Sequence, residues 1–363
     1  MISGVHIENF KGICRSDAEG LGRINLFIGK NDSCKSTILE AIHMTIKETV
    51  SPSLGESLSR RTDSDFSPRE LWFNYDIEHS IRIELRFGKA ILSNAIHTNA
   101  NADQINAYLE VTIPRRSIPK PATRSTNYSK GFSMSTASGK DLFSILNQEG
   151  MADKSFAVNS NFVDSSSRTE VKYIESLLGS LKLQSLDTDF GKFVSDVFQT
   201  DSNWEFIPHP DFPSQYRVVL KKGKSRIFLS GFGDGIRFCM ILVALTMMSR
   251  DTVLFIEEIE SNQHPASLQK IIRFLVETSK KNNLQLLITT HSPYVMNRFL
   301  EEANKENGKD QQLLQIFRVK RDISTGIVEC LRRTEENAAE FDTELDKDLF
   351  VWRTTTSKAQ TKG

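Results

Sequence analysis

The chain has 363 residues, 39% hydrophobic and 25% charged, which excludes a disordered or fibrous chain and leaves ample apolar surface for a large core. Its 46 Lys and Arg offset 46 Asp and Glu, so net charge argues for neither a nucleic-acid nor a membrane partner, and any basic surface has to be local. Four scattered cysteines, Cys14, Cys34, Cys239 and Cys330, form no CxxC pair, which argues against a zinc site or disulfide framework and suits a reducing, cytoplasmic compartment.

The N-terminus, MISGVHIENFKGI, alternates apolar and polar residues and lacks the apolar run of a signal peptide; it reads as a strand over Gly4 to Phe10. The apolar run Ile24 to Ile28 then leads through a Gly-bounded loop into a helical pattern from Ser36 to about Glu48. After a stretch of Ser, Pro and charged residues, Ser80 to Phe87 alternates as a half-buried strand of an antiparallel lobe. Between 114 and 140 the chain is rich in Pro, Ser, Thr and Gly, carries Arg115, Arg116, Lys120, Arg124 and Lys130 with no acid, and reads as a mobile insertion. Residues 170 to 200 have the spacing of two amphipathic helices expected to cover that inserted lobe.

Strand character returns at Gln215 to Leu220, and Gly231 to Gly235 opens an apolar helix whose Phe238 to Met248 core falls short of the roughly 18 residues a membrane span needs. Thr252 to Glu258 and Leu284 to Ser292 contain continuous apolar runs separated by a helix-length stretch, the pattern of strands buried on both faces of a parallel sheet. LLQIFRVKRD and IVECLRR predict a final strand pair. Residues 1–90 and 205–350 thus read as two parts of one α/β core, 91–204 as an inserted mixed lobe, and 351–363 as a tail.

Gly29, Lys30, Asn31, Asp32, Ser33, Cys34, Lys35, Ser36 and Thr37 follow a strand and open a helix, the context of a phosphate-binding P-loop. Backbone amides and the helix N-terminus would take phosphate oxygens, Lys35 would bridge the β- and γ-phosphates, and the Ser36 hydroxyl would ligate Mg²⁺. Cys34 stands where the pattern has its second glycine, and a positive φ there would cost on the order of 1 kcal/mol. Glu257 and Glu258 end an apolar strand: the first suits the Mg²⁺ shell, the second a water-activating base. His291 ends the next strand, where it could meet a γ-phosphate. Ser230, Gly231 and Gly233 form a second amide-rich turn before a helix, and two cradles for one nucleotide imply two subunits.

In order, ENFKGI, GKNDSCKST, LSGFGDGIR, LFIEEIESNQHP and LLITTHS resemble the ATPase module of the OLD (overcoming lysogenization defect) family and related abortive-infection AAA ATPases. The resemblance spans about residues 1–50 and 225–320. It implies an ABC-like P-loop core and a head-to-tail ATP sandwich, with Lys35, Ser36, Glu257, Glu258 and His291 of one subunit facing Ser230 and Gly233 of another. That family usually has aspartate where Glu257 stands, and a glutamine its members carry between the insertion and the core has no identifiable counterpart. A C-terminal Toprim nuclease is not expected, because Glu335, Glu336, Glu340, Asp342, Glu344, Asp346 and Asp348 form a charged helical run with no following apolar strand, suited to solvent or a partner.

The expected activity is therefore ATP binding and slow Mg²⁺-dependent hydrolysis in a homodimer or larger homo-oligomer. By resemblance, such a subunit senses or scaffolds and controls a separately encoded effector, such as a nuclease, in anti-phage defence. Two other readings compete: a DNA-binding recombination or repair ATPase using the basic 114–140 segment, and a nucleotide-locked module without turnover.

Overall fold

The computed structural model describes residues 1–48, 68–98, 104–112, 124–129, 132–135, 160–164, 171–198, 203–208, 216–222, 225–305 and 312–350. Its centre is β3 (Ile24–Ile28), whose five residues are all buried because it runs parallel between β14 (Gln285–Thr290) and β15 (Leu314–Arg321). Beyond β14 lie β13 (Val253–Ile256) and β9 (Ser160–Val163), also parallel. Every residue of β3, β13 and β14 is buried, which is why these segments read as unbroken runs without alternation.

Register places the C-terminal ends together: Ile28 opposes Thr290, Ile256 opposes Ile288, and Val163 opposes Ile256. The residues that follow, at 29, 257, 291 and 164, therefore leave along one edge, the side on which open α/β sheets bind ligands. α1 (Lys35–Glu48) packs Ile38, Leu39, Ile42 and Ile46 on one sheet face, each fully buried. Such a side chain stabilises by ~1.5–3 kcal/mol before entropy is counted. His43 ties this helix to the sheet, its Nδ1 3.1 Å from Ser160 Oγ and its ring edge-on to Phe162 and Phe255.

An antiparallel wing extends the same sheet through β1 (Gly4–Phe10), β2 (Ile13–Glu19), β4 (Ile81–Phe87), β5 (Ala90–Thr98) and β6 (Gln104–Thr112). β7 (Arg124–Ser129) and β8 (Phe132–Ser135) then complete it, so part of the segment expected to be a mobile loop is strand; the remainder of 114–140 lies outside the described residues. β16 (Ile327–Arg332) joins β2 in parallel and β15 in antiparallel pairing, closing the core onto the wing.

The other face carries α4 (Asp234–Met248), with Phe238 to Thr246 all buried, flanked by α5 (Pro265–Lys281) and α6 (Pro293–Lys305). α2 (Val171–Leu183) and α3 (Asp187–Phe198) differ from expectation. Their apolar stripes, Ile174, Leu177, Leu178 and Leu181, then Phe190, Val194 and Val197, join the core cluster around α4 instead of covering the inserted lobe. A helix as apolar as α4 needs cover on its outer side, and these stripes supply it. A small sheet of β10 (Asn203–Pro208), β11 (Tyr216–Lys222) and β12 (Ser225–Phe228) precedes α4. The chain's last described element is α7 (Ala338–Phe350), anchored by Phe341 and Leu345.

Candidate nucleotide site

The loop after β3 is set by its neighbours. A Cβ on Gly29 would run into the Val319 carbonyl of β15, so only glycine starts the loop this close to the sheet. Asp32 and Cys34 both have left-handed backbone, φ 64° and 67°, so two side chains sit where the loop bends back. Cys34 Sγ rests 3.7 Å from the Gly12 carbonyl in the β1–β2 turn, and burial pushes its thiol pKa up, opposed mainly by the nearby Arg321 charge. Arg321 Nη1 also lies 3.6 Å from Asp32 Oδ1, holding the loop from the β15 side. Asn31 and Asp32 are exposed, Ser33 is buried, and Thr37 hydrogen-bonds Cys34 at the start of α1.

Lys35 is 7% exposed. Its Nζ donates to the carbonyls of Gly29 at 2.9 Å and Lys30 at 2.5 Å and lies 3.4 Å from Ser33 Oγ. Burial lowers its pKa, and the charges of Glu258, Glu260 and Glu257 oppose that shift. A desolvated ammonium in a ring of loop carbonyls, with carboxylates nearby, suits an anionic ligand that would replace those weak partners.

The strand ends bring the acids in. Ser36 Oγ donates to Glu257 Oε1, and Glu257 is 8% exposed, its N–H bonded to the Val163 carbonyl at 2.9 Å. A hydroxyl and a carboxylate in contact are the hard-oxygen donors Mg²⁺ takes, so these residues fit the ion. Glu258 has φ 47°, a left-handed outlier of the kind that collects at functional sites. Its N–H donates to Thr289 Oγ1 at 2.9 Å, and Ser261 Oγ donates to its Oε2 at 3.1 Å.

His291 is half-exposed, its ring Nδ1 3.0 Å from Glu260 Oε1. The sequence reading missed this partner, although the spacing of a third acid three residues beyond Glu257 was visible. It also missed Ser261, and Asp164, a buried acid that follows β9 and by register stands beside Glu257.

Ser230, Gly231 and Gly233 are exposed on the turn before α4. Among the described residues no hydrogen bond or ion pair joins them to the loop at 29–37. The turn is instead fixed to the segment after the acids: Gln263 Nε2 donates to the Gly235 carbonyl at 2.8 Å, and a Cβ on Gly235 would strike the Asn262 carbonyl. This exposed turn is therefore tied to the acid-bearing turn and makes no bond to its own chain's loop among the described residues.

A P-loop strand between parallel neighbours, an acid pair two strands over and an antiparallel wing define an ABC-like P-loop ATPase. The Smc head bound to the C-winged helix domain of ScpA superposes with a TM-score of 0.51 at 14% identity, covering 93% of this chain and 99% of that one, a likeness of fold. The chain belongs to the AAA family described as "AAA domain, putative AbiEii toxin, Type IV TA system", which it matches over residues 92–297, more than half its length. That span holds Ser230, Glu257, Glu258 and His291, while the loop at 29–37 precedes it. An ATP/GTP phosphatase of Helicobacter pylori is 20% identical over 330 residues, 80% of this chain and 85% of that protein. An uncharacterised protein of Methanocaldococcus jannaschii is 35% identical over 74 residues, 20% of this chain and 65% of its own. Among the described residues no helix is long and apolar enough to cross a membrane.

Proposed function

We propose that this ATPase binds ATP with Mg²⁺ between two copies of itself, and that the nucleotide-dependent homo-oligomer senses or scaffolds, controlling a separate effector in anti-phage defence. The observation that carries the site is the contact between Ser36 and Glu257 beside the buried Lys35, which joins the P-loop to the acid strand. The defence role is supported by the resemblance of the ordered motifs and by a family described through a toxin–antitoxin system.

In this reading Lys35 leaves the carbonyls of Gly29 and Lys30 for the β- and γ-phosphate oxygens, while the loop amides and the start of α1 take the rest. Ser36 and Glu257 would hold Mg²⁺, which neutralises charge on the β- and γ-phosphates. Glu258, aimed by Thr289 and Ser261, accepts a proton from the water that attacks the γ-phosphorus, and the γ-phosphoryl group leaves ADP as phosphate. The turn at Ser230, Gly231 and Gly233 of a second copy supplies amides to the same γ-phosphate, a reading supported by its exposure and by the absence of a bond to its own loop among the described residues.

Phosphate release and sedimentation with and without ATP test this. Glu258→Gln is expected to lower kcat about 100-fold or more while trapping an ATP-bound dimer, and Lys35→Ala to lose both binding and dimer. A Glu258→Gln protein as fast as wild type, or a Lys35→Ala protein that still binds ATP, sinks the reading. Equal background rates in wild type and Glu258→Gln would favour a locked module without turnover.

A further inference from the structure

The turn that follows the acid pair holds a third carboxylate, Glu260, whose role the phosphate-binding scheme leaves open. Its side chain is 12% exposed, and one oxygen, Oε1, meets two groups of the residue that follows β14, a hydrogen-bonding backbone amide and an imidazole nitrogen at ion-pair distance. The His291 backbone N–H donates to it at 2.8 Å, and the His291 ring Nδ1 lies 3.0 Å away. Glu260 Oε2 is buried with no hydrogen-bond partner.

Gripping main chain and ring at one oxygen fixes both the start of the His291 segment and the rotation of the imidazole, which is otherwise half-exposed and free to turn. With Nδ1 committed to the carboxylate, Nε2 is the ring nitrogen left to face other groups. Glu260 is itself held from below, since the Gln263 N–H donates to its backbone carbonyl at 3.1 Å in the tight turn after β13. Its charge reaches Lys35, so it belongs to the site although the P-loop does not touch it.

We propose that Glu260 is a positioning residue for ATP hydrolysis: it clamps His291 through Nδ1 and the backbone so that Nε2 is presented toward the γ-phosphate. This rests on the reading of the site as a hydrolytic ATP site. Glu260 touches neither nucleotide nor water, and its effect passes entirely through His291.

The test compares steady-state hydrolysis with equilibrium binding of a fluorescent ATP analogue in the full chain. Glu260→Ala is expected to lower kcat about 10-fold or more while the nucleotide Kd stays within about 3-fold of wild type. Glu260→Gln keeps an acceptor oxygen for both donors and is expected to recover most of the rate, whereas Glu260→Met, which fills the space without an acceptor, is not. The double variant Glu260→Ala/His291→Ala is expected to be no slower than His291→Ala alone, because both remove one device.

Losses that add in the double variant, a Kd that weakens as much as kcat falls, or a Met variant as fast as Gln overturns the proposal. Should Glu260→Ala fail to fold, the Gln and Met pair decides. Glu258→Gln separates the two layers. If it abolishes hydrolysis while Glu260→Ala keeps the wild-type kcat, only the clamp is wrong; if wild type is no faster than Glu258→Gln, the hydrolytic reading falls and the clamp with it.

Discussion

At the scale of single residues, the site is built from backbone shapes that its side chains disfavour. Asp32 and Cys34 hold φ near +65°, and Glu258 holds 47°, although only the first of these residue types settles there with ease. The cysteine was readable as a departure from the glycine pattern, and its cost followed once the angle was known. Cys34→Gly is expected to raise stability by about 1 kcal/mol, less the chain entropy glycine adds to the unfolded state. Chemical denaturation of the nucleotide-free protein checks it, and a less stable variant would mean that the Sγ contact with Gly12 outweighs the strain. No sequence pattern could announce the strain at Glu258, because it arises where the turn after β13 hands Ser261 and Thr289 to one carboxylate and its amide.

At the scale of elements, the turn before α4 and the turn after β13 behave as one unit, joined by Gln263 and the close pass of Gly235 beneath Asn262. Gly235→Ala must push these turns apart. Because Glu258 and Glu260 sit in the second of them, we expect hydrolysis to fall about 10-fold or more with Lys35-dependent binding largely kept. Equal kcat in wild type and variant would show that the two turns move independently.

The C-terminal acids illustrate the opposite case, where sequence gave the helix and structure the partners. Asp342 makes a bidentate pair with Arg333 at 2.8 and 2.9 Å, and Glu344 and Asp348 approach Arg318 at 3.8 and 3.7 Å. Asp348 is also 4.0 Å from Lys30 of the P-loop. Part of a run expected to face solvent or a partner thus docks on the protein's own sheet. Glu344 pairs with Lys347 within the helix at 2.6 Å, as spacing foretells, but Arg318 on β15, Arg333 just after β16 and Lys30 of the loop are partners that spacing within α7 cannot foretell.

At the scale of the whole molecule, the proposed composite site requires each loop at 29–37 to be completed by the turn at 230–233 of another copy. Mixing Lys35→Ala and Ser230→Arg proteins tests this directly. A heterodimer of the two keeps one intact composite site, so an equimolar mixture is expected to recover roughly a quarter of wild-type hydrolysis although each variant alone is inactive. No recovery on mixing would argue for sites complete within one chain. The recombination or repair reading makes a separate demand: alanine at Arg115, Arg116, Lys120, Arg124 and Lys130 should abolish salt-dependent binding to duplex DNA. Wild type that shows no such binding retires it.

The sequence by itself determined the glycine-bounded loop at 29–37, the acid pair at 257 and 258, the strands that carry them and the split of the core between both ends of the chain. Those features are local: a glycine-bounded loop between an apolar run and a helix start, and continuous apolar runs where strands are buried on both faces, show in consecutive residues. Only the tertiary structure decided that α2 and α3 cover α4, that strands run through the basic segment, and that Glu260 rather than a nearer neighbour grips His291. The first and last of these depend on which surfaces meet across more than thirty residues of chain, as Glu260 and His291 do across the whole of α5, while the strands of the basic segment pair with nearer neighbours by register. Pairing at that distance is chosen by packing and register, and neither is written in the spacing of one segment.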